Sequence, residues 1–285
     1  MIRLLTVIGH GLDLLPHFIN HYQKYVNEIH IVAYNSELHP TIDLHIDNII
    51  QNYNNVKIVK SVYHRVFDWE KVTQLYNEIK FEYKNDWWVV ADIDEFHLYP
   101  NDDLKKLISD CEENCWDIVR GGFIDRIGND GTFPKINPNK SIWEQFPNMG
   151  FFRYPMSGAC PNKVCVVRGW VELTNGQHYV NIDGHTTWRW QGWSHPLIAP
   201  ISTHSVQVHH FKWDETSINR LKKVGDLNKD YSYSYEYMKM YKELEKSNFI
   251  IDICNTDYMF EISNQNSKFN AYKKWNKLIK KIVSL

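Results

Sequence analysis

Short apolar runs alternate with helical periodicities along the first 120 residues. Ile2–Ile8 is a mostly apolar run, the pattern of a buried strand, and Leu14, Leu15, Phe18, Ile19, Tyr22 and Tyr25 then recur at helical spacing. Glu28–Tyr34 predicts a second strand, and Ile42, Ile46, Ile49, Ile50 and Tyr53 a second helix. Val56–Val59 follows as a strand, and Val72, Leu75, Tyr76 and Ile79 mark a helix. Trp87–Ala91 is a strand apolar on both faces, Leu104–Cys111 is helical, and Trp116–Arg120 is a fifth strand. This alternation predicts an α/β fold with a doubly wound, mostly parallel sheet. Such sheets bind ligands beyond the carboxyl ends of their strands.

The pattern changes after Gly121. Residues 121–205 are rich in Gly, Pro, Asn and Trp, and Val164–Val167, Tyr179–Ile182 and Val206–Phe211 suggest strands of an added small sheet or meander. Helical spacing returns over 214–246. No Ser/Gly/Pro-rich linker interrupts the chain. The expected organisation is one domain over 1–262, with halves at 1–120 and 121–262, followed by a separate element at 263–285.

Composition narrows the class. Of 285 residues, 43% are hydrophobic and 23% charged, which excludes disorder and coiled coil as descriptions of the whole chain. The 11 Trp, 17 Tyr and 13 Phe suit surfaces that stack on sugars or bases, and they equally suit a core. Residues 262–285 hold six lysines and no acid, so the rest of the chain carries a net charge of −8. An acidic body argues against a nucleic-acid binder. In the tail, Phe269, Tyr272, Trp275, Leu278, Ile279, Ile282 and Val283 share one helical face and lysines the other. That is the pattern of a basic amphipathic helix, suited to an anionic membrane surface through 267–285 or to packing on the body. The five cysteines are expected to be reduced thiols. The first residues lack the features of a secretion signal, and no run of about 18 apolar residues occurs. The expected location is cytoplasmic, with peripheral attachment at the inner membrane face as the tail's contribution.

The sharpest chemical signal is Asp92-Ile93-Asp94-Glu95-Phe96, directly after the apolar strand. Strand alternation presents Asp92 and Asp94 on one side of the sheet's carboxyl edge. Carboxylates gathered there repel one another unless a cation lies between them, and Mg²⁺ or Mn²⁺ prefers such oxygen ligands. Without a ligand the same residues would cap the next helix. A second signal, Val208-His209-His210-Phe211-Lys212-Trp213, ends a predicted strand. Its adjacent histidines point to opposite faces, so one of them reaches a given metal. Lys212 suits a diphosphate. Gly9-His10-Gly11 follows the first strand and Asn35-Ser36 the second. Gly9 and Asn35 are therefore candidate donor contacts, with a tight turn and a helix cap as the alternatives.

In this order the motifs resemble a glycosyltransferase of the GT-A fold, most nearly the family 2-like enzymes and their family 92 relatives. The resemblance rests on Asp92, Asp94, Glu95, Phe96 and His209–Trp213. It also rests on Gly122–Arg126, Asp130-Gly131, Trp143–Pro147, Lys163 and Gly176–His178, and it spans roughly residues 1–255. It implies a metal-dependent transfer from a nucleotide-sugar, with UDP-galactose the first donor to test, to a glycan or lipid-linked acceptor in surface polysaccharide synthesis. It implies inversion, Asp94 and His210 on the metal, and Asp92 on the ribose or a metal-bound water. Gly9-His10-Gly11 lacks an acid that would contact uracil, which leaves the base open. An inverting transfer needs a carboxylate base. Asp125 is the expected one, with Glu144, Glu172 and Asp183 as rivals. Trp188, Trp190 and Trp193, around Arg189 and Gln191, offer sugar-stacking rings or packing. Two other classes remain open: a nucleotidyltransferase or other metalloenzyme, and a non-catalytic sugar-binding protein.

Overall fold

A computed structural model describes residues 1–186, 195–227, 232–255 and 259–260. The Trp-rich run at 188–193 and the basic tail at 263–285 lie outside the described residues. In chain order the elements begin with β1 (Ile2–Ile8), α1 (Leu15–Tyr22), β2 (Glu28–Asn35), α2 (Ile42–Ile50), β3 (Val56–Tyr63) and α3 (Trp69–Phe81). β4 (Trp87–Val90), β5 (Glu95–Leu98), α4 (Leu104–Glu113) and β6 (Ile118–Ile127) follow. Next come α5 (Ile142–Gln145), β7 (Asn148–Gly150), α6 (Arg153–Ser157), β8 (Asn162–Arg168), β9 (Glu172–Leu173), β10 (Val180–Ile182) and β11 (His185–Thr186). The chain continues through α7 (Ile201–His204), β12 (Val206–His210), α8 (Ser217–Leu227), α9 (Ser232–Lys246) and β13 (Met259–Phe260).

The described residues form two compact units. The first takes 1–122 and 162–208, the second 123–161 and the residues from His209 onward. In the first unit the strand order is β6-β8-β4-β1-β2-β3. β1 pairs in parallel with β2 and β4, and β2 with β3, while β8 enters antiparallel between β4 and β6. All of these strands except β8 therefore run one way. Alternation assigns the two faces. Leu5, Val32, Tyr34, Trp88 and Val90 meet Val72, Leu75, Tyr76 and Ile79 of α3. Trp87 points the other way, and its indole donates to Glu112 on α4 at 3.1 Å. Helices thus cover both faces, and the sheet is doubly wound as the periodicity predicted. Side chains set the helix starts: Asp68 accepts from the amides of Glu70 and Lys71 ahead of α3, and Asp103 from that of Lys106 ahead of α4.

Three strands differ from the sequence expectation. Val164–Val167, within β8, and the Val206–Phe211 run, whose strand is β12, belong to the main sheet and not to the added one. Glu95–Leu98 is a strand that the acidic motif concealed. The small antiparallel sheet does exist, with order β11-β10-β9, and its Leu173, Val180 and Ile182 join the α3-side core. At Gly121 a Cβ would stand 2.4 Å from the Val206 carbonyl oxygen, so only glycine lets β12 come this close.

In the second unit the end of β6 pairs antiparallel with β7, matching Asp125 with Gly150 and Ile127 with Asn148. β13 extends this ladder along β7. Ile127, Phe152, Met156, Trp213, Leu221, Met240, Leu244 and Ile251 form its core. No helix among the described residues is long and apolar enough to cross a membrane.

Candidate active site

The strand order fixes where the first unit can hold a ligand. The chain moves outward from β1 to β3, then returns to place β4 on the opposite side of β1. The carboxyl ends of β1 and β4 therefore flank the point where the winding reverses, the usual binding crevice of such sheets. The loops leaving them are Gly9-His10-Gly11 and Asp92-Ile93-Asp94. They touch: the Cγ2 methyl of Ile93 lies 3.4 Å from where a Gly11 Cβ would stand, and Gly11 has φ +73°. Glycine is needed here for a left-handed backbone packed against the acidic loop.

A buried lysine organises the carboxylates. Lys163, on β8, lies 2.9 Å from Asp92 Oδ2 and 2.9 Å from Glu95 Oε1, and it also donates to Gln177 Oε1 at 3.1 Å. Its side chain is 1% exposed, that of Glu95 3%, and that of Asp92 41%. Burial alone would favour the neutral amine. The two carboxylates outweigh it and raise the Lys163 pKa above its ordinary value. Tyr76 of α3 donates to Asp92 Oδ1 at 3.0 Å, and the Asp92 amide donates to Glu95 Oε2 at 3.1 Å. Asp92 is thus oriented by Tyr76 and neutralised by Lys163, while one edge of it stays open to solvent. Asp94 is half-buried in the same loop. Gly9 opens the opposite loop. Asn35 is buried and tied into the fold, its amide donating to Ser61 Oγ at 3.0 Å and to the Val62 carbonyl at 3.3 Å.

The second unit holds Asp125, Glu144, His210 and Lys212. Adjacent histidines at the end of β12 do face opposite ways. His209 Nδ1 accepts from Arg126 Nε at 2.9 Å, and His210 Nδ1 stands 3.8 Å from Asp125 Oδ1. Asp125 is fully buried. Its Oδ2 accepts from the amides of Phe152 (3.0 Å) and Arg153 (2.9 Å), and its Oδ1 from the Trp213 indole at 3.1 Å. Burial opposes ionisation of Asp125, but His210, Arg153 and the amide donors prevail and hold its pKa below the usual value. A base must reach the proton it takes. Asp125, the base expected from the sequence, is a buried carboxylate with both oxygens already accepting hydrogen bonds. The Arg126 guanidinium lies over the Trp143 ring, 5.0 Å from its centroid, and burial lowers its pKa to about 9. The Lys212 ammonium stands 4.2 Å from the Tyr237 ring centroid. Glu144, Glu172 and Asp183 are all exposed.

Sequence reasoning gave no role to Tyr76 or Gln177, and it used Lys163 only as a point of resemblance. A lysine opening an otherwise apolar strand was the available signal. Among the described residues, no three His, Cys, Asp or Glu side chains are gathered as a metal-binding group.

No family profile matches the chain, and no curated protein matches it. Solved structures give distant likenesses. One is 4-diphosphocytidyl-2C-methyl-D-erythritol synthase, at 11% identity and TM-score 0.33, covering 59% of this chain and 75% of that one. Another is a protein assigned as a glucose-1-phosphate thymidylyltransferase from Bacillus anthracis, solved with sucrose. It is 10% identical, with TM-score 0.29, covering 93% of this chain and 98% of that one. Likenesses this distant carry no argument about what this chain does.

Proposed function

We propose that the chain is a metal-dependent glycosyltransferase of GT-A type, moving a sugar from a nucleotide-sugar to a glycan or lipid-linked acceptor. The observation that carries this reading is the position of Asp92-Ile93-Asp94-Glu95. It lies at the carboxyl end of β4, beside the glycine loop of β1, with Asp92 fixed by Tyr76 and Lys163. Carboxylates held at a winding reversal suit the ribose and a divalent ion on a nucleoside diphosphate.

Carboxylate oxygens of this kind suit Mn²⁺ or Mg²⁺. Asp94 offers a hard oxygen ligand in the loop, and Asp92 keeps an open edge toward the ribose or a metal-bound water. His210 as a further ligand is carried by the resemblance. Its setting within the second unit supports it, because ligating imidazoles are commonly backed by a carboxylate, and Asp125 faces its Nδ1. Asp125 is then a positioning residue. The bound ion would offset the diphosphate's charge as it leaves. The base falls to an exposed carboxylate, for which Glu144, Glu172 and Asp183 are the candidates.

A nucleotidyl transfer would use the same carboxylates but release pyrophosphate. The deciding experiment supplies UDP-galactose and other nucleotide-sugars with Mn²⁺ and identifies the products. Release of a nucleoside diphosphate, lost in Asp94→Asn and in EDTA, supports glycosyl transfer. Pyrophosphate from a nucleoside triphosphate and a sugar phosphate supports the alternative. Full activity of Asp94→Asn would refute both.

A further inference from the structure

A groove of about 760 Å³ runs between α3 and the small sheet, wholly within the first unit. Gln74 and Asn77 of α3 line one side, and Glu172, Asn175 and Tyr179 the other. Its thirteen described lining residues include three carboxylates and four amides, with no lysine or arginine among them. Two lysines bond to lining residues, Lys60 to Glu78 and Lys71 to Gln74.

That lining selects a chemical class. With Glu78 paired to Lys60, Glu70 and Glu172 still leave the lining net negative, which disfavours a phosphate-bearing ligand. Asn77 spends its amide on the Leu173 backbone. Gln74, Asn175 and Asn181 can donate, a carboxylate accepts, and a sugar hydroxyl does either in return. Tyr179 and Phe81 add flat apolar surface. The volume falls within the range of about 300–1,000 Å³ usual for small-molecule sites.

The groove is joined to the acidic cluster. Thr73 belongs to its lining. Gln177 Nε2 donates to Thr73 Oγ1 at 3.5 Å, and Gln177 Oε1 accepts from Lys163, which holds Asp92. This link is made on a constrained backbone, with Gly176 at φ +74° and Gln177 at φ +54°. A non-glycine residue held there, with its side chain buried in the link, marks a loop shaped for more than connection.

We propose that this groove binds an uncharged glycan, the acceptor of the transfer. Its role as acceptor site rests on the reading above. Its glycan binding does not.

The test is calorimetric titration of the full chain with chitotriose, maltotriose and cellotriose as uncharged or N-acetylated probes, and with sialyllactose as an anionic one. At least one uncharged probe should bind, with sialyllactose weaker by about tenfold or more. The exposed pair Gln74→Ala/Asn175→Ala should weaken that binding about tenfold, the loss of two modest hydrogen bonds. Its melting temperature should match that of the parent chain. Failure of every uncharged probe to bind, tighter binding of sialyllactose, or unchanged affinity in the double variant would overturn the proposal. Donor breakdown assayed without acceptor separates the two readings. Donor consumption that depends on Asp94, with no glycan bound, keeps the transferase and removes the groove. Glycan binding lost in the double variant, with no nucleotide-sugar consumed, does the reverse.

Discussion

At Asp125, three N–H donors converge on one buried carboxylate, two of them on Oδ2. Asparagine offers one oxygen and one amino group, so Asp125→Asn must turn a donor toward a donor. We expect a loss of about 2 kcal/mol, read by chemical denaturation. If Asp125 acts by positioning His210, the same variant should raise the Mn²⁺ concentration needed for half-maximal turnover by about 10–100-fold. A base in that position would instead lower kcat at saturating metal with the requirement unchanged. Lys163 gives a second residue-scale prediction. Lys163→Met takes the cation away from the buried Glu95 carboxylate, at a cost of about 3–5 kcal/mol. Lys163→Met/Glu95→Gln should recover most of that in a melting experiment. Little of this was legible beforehand. Asp92, Asp94 and His210 stood out because acids after an apolar strand and paired histidines are local patterns. The Lys163–Asp92 pair joins residues 71 apart, and no local pattern shows which acid a lysine will meet.

α3 and the turn into the small sheet are tied by another buried lysine. Lys80 donates to the carbonyls of Gly169 (3.3 Å) and Val171 (2.5 Å), and burial lowers its pKa to about 7. An unfolded lysine titrates near 10.4. Between about pH 7 and 9 the folded chain therefore holds fewer protons than the unfolded one, and stability contributed through this group rises with pH. Below pH 7 the folded state must carry the buried charge and loses that advantage. Lys80→Met should flatten the rise in melting temperature over that interval. Elements in the parallel part of the sheet were easy to read because strands covered on both faces are continuous apolar runs. β5 was not, because Glu95 and His97 break the apolar run of a strand that is nonetheless buried. The β8 and β12 runs read as strands from their sequence, but both lie in the main sheet and not in the small one. Periodicity reports the strand and is silent on its neighbours.

For the chain as a whole, charge and connectivity matter more than any contact. Residues 262–285 add six positive charges to a body at −8. Each lysine near an anionic surface contributes about 1 kcal/mol at most. Removing residues 267–285 should abolish co-sedimentation with phosphatidylserine liposomes at low salt and leave transfer to a dissolved acceptor intact. Equal sedimentation of the shortened chain would exclude the membrane role. Residues 162–208 return to the first unit after 123–161. That return governs how the protein is made. β4, the Trp-Trp-Val-Val strand, has β1 on one side and β8 on the other, and β8 ends at Arg168. During synthesis β4 leaves the ribosome about 80 residues ahead of the strand that covers it, some 4–16 s at ordinary elongation rates. For that interval it is an apolar, uncharged open edge, a surface that recruits other chains. A fragment ending at residue 122 keeps that edge permanently and should precipitate, and in the cell the full chain should depend on holdase chaperones until β8 emerges.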